Sequence, residues 1–498
     1  MNYRKISAAF LMAVMLFISA FVHAQKNVET DVVVVGGGAS GTAAALAAAE
    51  LGARVVILEK QPAAGGTGNF SEGIFAVESS MQRAMNYDLS KDQAFKMIMD
   101  YSHWRANAKL VRAYVDKSPD TIDWLIGHGI KFEQLTSNYP GGLYTWHIYE
   151  GRGAAVIKKL QAKFVEMGNT IMLETAATGL ITDNDGRVVG VKAINADDEE
   201  IEIRARAVIL ATGGFGNNKE MLREYTRFPD VEHIGNIGKT GEGITMAWDV
   251  GAAKEGMEVM MSYRPGPKGE STTSHVGAAA KQPHLWLNPR GERFCDESII
   301  FQWPFAGNAL ENQGGTMFVV FDEGTKNYMQ THGIDLGVGV MVPVTTQLLK
   351  FEEDFKRAEA NGVAFKASTL EELAKKTGMD PNTLKATVAR YNEFYTNRHD
   401  ADFAKNPRYL QPVQTGPFYA VKSVATSLGT LGGVKVNEKL QAVTEEHKPI
   451  PGLYVVGNIA GGMYGDSYDL LMAGSTVGFA MNSGRIAAEN AVKIDLGK

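Results

Sequence analysis

The hydrophobic pattern near the start of the chain predicts a strand, a tight turn, a helix and a second strand. Four consecutive valines, Val32–Val35, have the length and the composition of a buried parallel strand. The alanine-rich residues 42–51 favour a helix, and residues 53–58 form a second apolar run of strand length. Two parallel strands joined by a helix are the unit of doubly wound sheets, so this segment predicts an α/β domain.

The turn between the first strand and the helix carries glycines at GxGxxG spacing. Gly36, Gly38 and Gly41 follow the valines directly, and Glu59 closes the second strand about 20 residues on. Free backbone N–H groups and the positive end of a helix dipole bind a pyrophosphate, and an acidic side chain at that distance accepts a hydrogen bond from a ribose hydroxyl. The segment therefore predicts a dinucleotide site rather than a turn that serves packing alone.

The remainder of the chain alternates between glycine turns and a block of different composition. Residues 65–73 and 207–216 contain further glycine turns, and the second of these follows an apolar strand. Residues 258–425 hold proline-rich and glycine-rich stretches and two helical segments, 351–361 and 368–395. Because strand and glycine patterns return after this block and end in a helix, we expect the last strand to rejoin the first sheet, with the block inserted as a lid.

Composition excludes several classes of protein. The 498 residues are 45% hydrophobic and 21% charged, which is enough for two domains with sizeable cores. The formal net charge of -6 argues against a nucleic-acid partner, because phosphate binding relies on clustered Lys and Arg. Cys295 is the only cysteine, so this chain's own thiolates cannot form a disulfide, a CxxCH haem attachment or an iron-sulfur cluster. We therefore expect electrons to pass through a bound organic cofactor, with no metal site.

The first 24 residues have the layout of a secretory signal peptide. Arg4 and Lys5 precede an uncharged apolar run over residues 8–22, and Val22-His23-Ala24 resembles a small-residue cleavage site. The apolar run is too short to favour a membrane-spanning helix, although an uncleaved anchor remains the alternative. We expect export to the periplasm through a cleavable signal peptide, without stable insertion in the membrane.

Several motifs, in this order along the chain, resemble those of the flavoprotein subunits related to fumarate reductase and succinate dehydrogenase, a group that includes the 3-ketosteroid dehydrogenases. The motifs are DVVVVGGGASG, GGTGNFSEG, AVILATGGFG, KTGEGITMAWDVGA, NPRGERFCDE, DPNTLKATVARYNEFY, PFYAVK, TLGG and PGLYVVGNIAGG. Overall the chain is most similar to the exported, soluble fumarate reductase-like reductases. The resemblance implies FAD as the cofactor, with hydride transfer between flavin N5 and one carbon of a double bond and a protein acid supplying a proton to the other carbon.

The resemblance also implies the fold. It is α/β, with a Rossmann-like FAD-binding domain of the glutathione reductase type and an inserted α+β capping domain. After the signal peptide, we place the FAD-binding domain at residues 28–257 and 426–498 and the capping, or substrate, domain at residues 258–425.

The family's cofactor contacts carry over to this chain at the glycine turns, at the ribose acid and at the start of the closing helix. The helix N-terminus there would stabilise negative charge on a reduced flavin. The predicted cofactor-binding residues are Gly36, Gly38, Ala39, Ser40, Gly41, Glu59, Lys60, Gly66, Thr67, Gly73, Ala177, Thr212, Gly213, Gly457, Asn458, Ser475, Thr476 and Val477.

Arg293, in GERFCDE, matches the arginine that resembles the family's proton donor. An arginine is an unusual general acid because its pKa lies far above neutrality, so it needs a relay that restores its proton. The alternative is that Arg293 forms a salt bridge with Asp296 or Glu297 at the edge of the lid. Arg264, Tyr263 and Tyr468 complete the predicted catalytic set.

The sequence departs from the fumarate reductases at the carboxylate clamp. Tyr263 or Arg264 stands where the family has a histidine, Gly429 replaces a second histidine, and Tyr468 and Asp469 lie where an arginine is expected. Two carboxylates need two sets of cationic or N–H donors, so tight binding of fumarate is not expected. The remaining candidates for the substrate pocket indicate a larger, partly apolar or aromatic unsaturated substrate with at most one carboxylate. An enone substrate is the alternative. The candidates are Tyr263, Tyr464, Tyr468, Met463, Trp286 and His147.

These observations favour an exported reductase that saturates an activated C=C bond of an α,β-unsaturated acid or enone and serves as a respiratory electron-acceptor reductase. Because the periplasm has no nicotinamide pool and the chain leaves no room for a fused cytochrome or flavin-mononucleotide domain, we expect a separate electron-donor protein, a cytochrome c or a flavoprotein. The alternatives are a fumarate reductase proper, a 3-ketosteroid dehydrogenase-like desaturase, and a flavin-binding protein without turnover.

Overall fold

The fold is built around a mainly parallel sheet, with one antiparallel edge strand, that the two ends of the chain share. A computed structural model describes residues 26–139, 141–228, 230–338 and 342–498. The predicted signal peptide, residues 1–24, lies outside the described residues. In the described chain this sheet has six strands, in the order Gln441–Val443, Pro449–Val455, Ala207–Leu210, Val32–Val35, Val55–Leu58 and Thr170–Met172.

The register of the sheet follows from its apolar strands. Val32–Val35 pairs in parallel with Ala207–Leu210 on one side and with Val55–Leu58 on the other, and all three strands are buried throughout. Pro449–Val455 pairs in parallel with Ala207–Leu210, so the last long strand of the chain rejoins the sheet that the first strands began. This confirms the predicted Rossmann-like α/β core.

Helices cover the sheet. The first helix, Ala39–Glu50, is buried on nearly every side, which explains its alanine content. It packs against the closing helix, Ser475–Ala491, at a contact where a Cβ on Gly484 would lie 2.4 Å from the Ser40 carbonyl oxygen. The other helices outside the cap are Ser80–Ala84, Lys91–Tyr101, Ala108–Gly127, Arg152–Glu166, Lys219–Tyr225 and Glu242–Asp249.

Smaller sheets flank this core. One consists of Lys26–Glu29, Glu200–Arg204, Val188–Ile194 and Ala176–Thr182 and includes the hairpin that turns at residues 184–186. Another consists of Gly73–Phe75, Trp146–Tyr149 and Phe132–Thr136, and Lys254–Glu255 pairs with Gly433–Val434. The described chain contains no helix long and apolar enough to cross a membrane.

The cap is an α+β unit organised by one long strand, Phe418–Thr430. This strand pairs with Glu232–His233, Met260–Gly266, Thr316–Asp322 and Ala364–Ala367, and Leu285–Leu287 extends the sheet beyond Thr316–Asp322. The cap helices are His275–Ala280, Trp303–Glu311, Glu323–Thr331, Phe351–Ala360, Leu370–Thr377 and Pro381–Asn397. The central strand continues past residue 425, the predicted end of the cap. The exact domain boundaries stay a prediction.

The segment 368–395 forms two helices instead of the predicted one. Leu370–Thr377 ends at Gly378, whose φ of 81° lies in the left-handed region that terminates helices. Asp380 then accepts a hydrogen bond from Thr383 N at 2.8 Å and caps a new helix that begins at Pro381.

Candidate active site

A long cleft lies at the carboxyl ends of the parallel strands, where doubly wound folds bind their ligands. Strands of both units border it, since Met261 and Leu428 from the cap line it together with residues of the first glycine turn. The predicted cofactor residues that line it are Gly36, Gly38, Ala39, Ser40, Glu59, Lys60, Gly66, Thr67, Ala177, Thr212, Gly213, Asn458, Thr476 and Val477.

The first glycine turn packs closely against neighbouring main chain, and its own backbone lines the cleft. A Cβ on Gly36, which has a φ of 104°, would lie 2.6 Å from Ala211 O, and one on Gly41 would lie 1.9 Å from Gly36 O. Gly38, by contrast, is the N-terminal cap of the first helix and has no side-chain cap. The turn therefore presents a helix N-terminus to the cleft, as a bound pyrophosphate requires.

Glu59 is held in a fixed orientation at the end of the second strand. Its carboxylate accepts hydrogen bonds from Gly37 N and from Gln61 N, both at 2.9 Å, and its side chain is buried at the wall of the cleft. Neighbouring Lys60 forms an ion pair with Glu242, so its charge is paired within the protein. Glu59 is thus held in position to accept a hydrogen bond from a ribose hydroxyl.

Two threonine hydroxyls give an independent test of whether this cleft fits FAD. Thr67 Oγ1 and Thr212 Oγ1 are buried and have no hydrogen-bond partner among the described residues, and both threonines line the cleft. A buried hydroxyl without a partner costs free energy, so these groups are expected to bond to a polar ligand. Together with the helix N-terminus and Glu59, they fit a flavin dinucleotide.

Lys239 is a cleft residue that the sequence-based prediction missed. Its Nζ donates a hydrogen bond to Leu428 O at 3.0 Å, and a Cβ on Gly429 would lie 3.0 Å from the same Nζ. Burial lowers the pKa of Lys239 to about 8. A signal for Lys239 was present in the sequence, because it begins the motif KTGEG that was quoted above. Glu242, in the same motif, also lines the cleft.

Four predicted cofactor residues lie behind the cleft wall: Gly41, Gly73, Gly457 and Ser475. A Cβ on Gly73 would lie 2.4 Å from His147 O, and one on Gly457 would lie 2.7 Å from Ser40 Oγ. The Ser475 hydroxyl lies 3.0 Å from the Tyr464 hydroxyl. These residues allow the close packing of the wall rather than facing the cleft themselves.

An aromatic cluster lies where the closing helix begins. It consists of Tyr263, Trp303, Tyr464 and Tyr468, and all four side chains are mostly or fully buried. The Trp303 ring stacks on Tyr468 with centroids 5.1 Å apart, and it meets Tyr263 edge-on at 5.2 Å. Tyr464 and Tyr468 lie 5.5 Å apart. Tyr468 lies close to Thr476, which lines the cleft, so the cluster lies near the cleft wall.

Arg264 lies beside this cluster with part of its guanidinium unused. Its Cζ is 5.9 Å from the Tyr263 ring, and its Nη1 donates a hydrogen bond to Gly337 O at 2.7 Å. Its Nε is buried without a hydrogen-bond partner among the described residues. Burial lowers the pKa of Arg264, yet an arginine stays protonated, so the group offers a positive charge and one free donor.

Arg293 does not reach the cleft, which corrects its predicted role as proton donor. It forms bidentate ion pairs with Glu297, at 2.8 and 2.9 Å, and with Asp400, at 3.1 and 2.9 Å. Although burial alone lowers its pKa, the two carboxylates raise the pKa above the usual range of arginine, and they occupy the N–H groups that would face a substrate. The ion-pair alternative is therefore correct for Glu297, whereas Asp296 instead caps the turn that follows.

Two further candidates for the substrate pocket lie in the core. His147 is fully buried, with Nε2 2.7 Å from Ser79 Oγ and Nδ1 3.1 Å from Thr145 O. Trp286 is fully buried on a cap strand and packs against Phe294. Both were wrongly assigned to the pocket. In the described chain no group of three or more His, Cys, Asp or Glu side chains is placed to hold a metal ion.

The fold and the cleft define a flavin-dependent oxidoreductase. The family described as "FAD binding domain" matches residues 31–471, and the chain belongs to that family, with FAD as its cofactor. The predicted relation to the fumarate reductase-like flavoproteins is confirmed, and with it the assignment to oxidoreductases acting on CH–CH groups.

Known proteins support this assignment. The chain is 38% identical to a vinyl phenol reductase of Lactiplantibacillus plantarum over 94% of its own length and 97% of that protein. It is 29% identical to an NADH:fumarate oxidoreductase of Klebsiella pneumoniae over 93% of its length, and it spans 48% of that longer protein. The structure of the open conformation of a flavocytochrome c3 fumarate reductase matches 97% of this chain and 81% of its own chain, with a TM-score of 0.73 and 26% identity.

Proposed function

We propose that this protein reduces a C=C bond conjugated to an aromatic ring, most plainly the alkene side chain of a phenol, with at most one carboxylate on the substrate. The observation that carries the proposal is the aromatic cluster, whose stacked Trp303 and Tyr468 rings offer faces and edges suited to a planar aryl group. The 38% identity to a vinyl phenol reductase over nearly its whole length supports the same class of substrate.

The charges near the cluster argue against fumarate. A dicarboxylate requires two sets of cationic or N–H donors. Arg264 provides one buried guanidinium with a free Nε, and the Glu72 carboxylate already lies within electrostatic reach of it. The other two buried cations nearby, Lys239 and Lys281, already donate hydrogen bonds to Leu428 O and to Gly277 O. Arg293, a second arginine of the cap, already has both of its faces paired with carboxylates. An aryl alkene without a carboxylate, or with one held by Arg264, fits these charges better.

The residues of the chain divide the work as follows. FAD, when bound, supplies a hydride to one carbon of the double bond. The glycine turns, Glu59 and the closing helix hold the dinucleotide, and Tyr263 and Trp303 orient the ring of the substrate. Tyr468, buried close to Thr476 of the cleft wall, is the group that we assign to donate the proton to the other carbon.

We further propose that the protein is exported and that it serves a respiratory chain through a separate electron-donor protein, a cytochrome c or a flavoprotein. The signal-peptide layout of residues 1–24 supports the periplasmic location. Proteinase accessibility in spheroplasts of the source cells tests it: digestion of the mature chain is expected, and protection would contradict export.

A steady-state assay with reduced viologen as electron donor tests the substrate class. The panel consists of 4-vinylphenol, 4-hydroxycinnamate, urocanate, acrylate, fumarate and a steroid enone. We expect the first two to give the highest kcat/KM, and a preference for fumarate or for the steroid would contradict the proposal. Trp303→Leu should raise KM for aryl alkenes about 5-fold, since a lost aromatic contact costs about 1 kcal/mol. Phe305→Leu, which alters a half-exposed ring two residues away, is the matched control.

A further inference from the structure

Lys239 brings a positive charge without a counter-charge into the cofactor cleft. The residue is 6% exposed and lines the cleft, and its Nζ donates a hydrogen bond to Leu428 O at 3.0 Å. This is the only hydrogen bond of its side chain within the described residues, and an ammonium group has three donors. A buried charge that lacks a partner costs free energy, so we expect a ligand of the cleft to supply the partner.

The groups around this ammonium do not compensate its charge. Both ring nitrogens of His233 lack a hydrogen-bond partner among the described residues, and burial and the charge of Lys239 lower the pKa of this histidine to about 4. Glu242, three positions further along the chain, is already paired with Lys60. Burial lowers the pKa of Lys239 to about 8, so the ammonium is largely protonated at neutral pH.

The ammonium lies where the sheet meets the cap. A Cβ on Gly213, in the second glycine turn, would lie 3.8 Å from Lys239 Cγ, so the stem of the lysine starts at the edge of the sheet. Its Nζ reaches the cap strand Phe418–Thr430, where a Cβ on Gly429 would lie 3.0 Å from this atom and 4.0 Å from Asn458 Nδ2. Two N–H donors of the cleft, Lys239 and Asn458, thus converge on a glycine that leaves them room.

Two parts of FAD carry or acquire negative charge, the pyrophosphate and the ring system. The pyrophosphate has its own site at the first glycine turn, where Gly38 begins the first helix without a side-chain cap. The ring system has to contact the substrate, so we place it at the end of the cleft that the cap borders. Reduction by two electrons and one proton leaves one negative charge on a flavin ring, and a cation beside the ring stabilises that charge.

We propose that Lys239, with Asn458 beside it, sets the reduction potential of the flavin by binding the negative charge of the reduced ring. The N–H groups that Leu428 O leaves unused are the donors. Their charge makes the flavin easier to reduce, so a weaker reductant suffices as the electron donor. The inference uses the position of the active site between cap and sheet and does not depend on which alkene is the substrate.

The test measures the reduction potential of bound FAD in Lys239→Met, which keeps the apolar stem and removes the charge. The holoprotein is reduced anaerobically beside a dye of known potential. We expect the variant to bind reduced FAD, relative to oxidised FAD, about 10-fold less tightly than the wild type, as for the loss of one nearby opposite charge. For a two-electron couple this lowers the potential by about 30 mV.

Matched variants separate the charge from other effects of the substitution. Lys239→Arg, which keeps a cation, should retain a potential above that of K239M. Lys219→Met removes an exposed lysine of the same domain and should leave the potential unchanged. Lys239→Gln, which can still donate to Leu428 O, should show the same decrease as K239M and replaces it if that variant does not fold. An unchanged potential in both neutral variants would overturn the inference.

Titration of the apoprotein with FAD distinguishes the ring from the pyrophosphate. K239M should bind oxidised FAD nearly as tightly as the wild type, because the oxidised ring carries no charge. A fall of about 10-fold in the affinity for oxidised FAD, with the potential unchanged, would assign Lys239 to the pyrophosphate and overturn the inference.

Thermal unfolding of the apoprotein excludes a merely structural role. Removing a buried charge that has no partner should leave the Tm of the K239M apoprotein equal to that of the wild type or raise it. A lower Tm with an unchanged potential would show that Lys239 supports the fold instead. Because none of these measurements involves an alkene, a potential that falls as expected in a protein that reduces no aryl alkene would contradict the proposed function alone.

Discussion

A cluster of buried charged side chains lies inside the cap. It consists of Arg293, Glu297, Asp400 and Lys405. Arg293 is bonded to both carboxylates, and Lys405 Nζ lies 3.0 Å from Glu297 Oε2. Rings of Tyr391 and Phe403 each lie 5.0 Å from the guanidinium. Two cations and two carboxylates balance each other here, so removing one member leaves an uncompensated charge in a buried site.

Replacing Arg293 with Met should lower the free energy of unfolding by about 3–5 kcal/mol, because Asp400 and part of Glu297 lose their partner. Urea unfolding followed by circular dichroism measures the change. Arg290→Met is the control, because its pair with Glu292 is exposed to solvent and should change the free energy of unfolding little. An Arg293→Met protein with unchanged stability and no turnover would instead support the proton-donor role that the sequence had implied.

The sequence is sufficient to locate residues whose place in the fold is set by their immediate neighbours. The glycines of the first turn and Glu59 are placed by one strand-turn-helix unit, so their spacing was sufficient. Arg293 pairs with Asp400, 107 positions away, and Lys239 bonds to Leu428, 189 positions away. Contacts between residues so far apart in the sequence depend on how the cap packs on the sheet, and a match to a short motif does not predict that packing.

Among the secondary-structure elements, the first helix and the closing helix pack closely against each other. A Cβ on Gly484 would lie 2.4 Å from Ser40 O and 3.0 Å from Ala44 N, both of them backbone atoms that cannot move independently. Because Ser40 also lines the cleft, this contact couples the position of the closing helix to the cofactor site.

Gly484→Ala should therefore push the two helices apart and lower the free energy of unfolding by about 1–3 kcal/mol, with loss of bound FAD. The flavin absorbance of purified protein, relative to its protein absorbance, measures FAD content. Gly127→Ala is a matched control in another helix, since its Cβ would meet no atom within 4 Å, and it should be neutral or slightly stabilising. Equal FAD content in the two variants would contradict this account of the contact.

The helices of the cap show where pattern alone was insufficient. Hydrophobic periodicity predicted one helix over residues 368–395, yet Gly378 and Pro381 divide it in two. Both residues are stop and start signals that the sequence displays openly. Both helices pack on the same hydrophobic core of the cap, so the spacing of apolar residues continues across the break. This spacing therefore favoured one uninterrupted helix.

For the molecule as a whole, the active site that we propose lies where the cap meets the mainly parallel sheet. The predicted insertion is confirmed in outline, since Pro449–Val455 rejoins the first sheet after the cap. The aromatic cluster draws Tyr263 from a cap strand, Trp303 from a cap helix and Tyr468 from the loop before the closing helix. The sequence identified the tyrosines but not Trp303, because no local pattern indicates which segments converge.

A single-turnover experiment tests the central claim, that this FAD protein reduces aryl-conjugated alkenes. The flavin of the holoprotein is reduced anaerobically and mixed with one alkene at a time, and both flavin absorbance and products are recorded. We expect 4-vinylphenol to reoxidise the flavin with one 4-ethylphenol formed per FAD, and fumarate to react at least about 10-fold more slowly, as expected without a second carboxylate donor set. Rapid reoxidation by fumarate, with reduced flavin stable in the presence of 4-vinylphenol, would contradict the account.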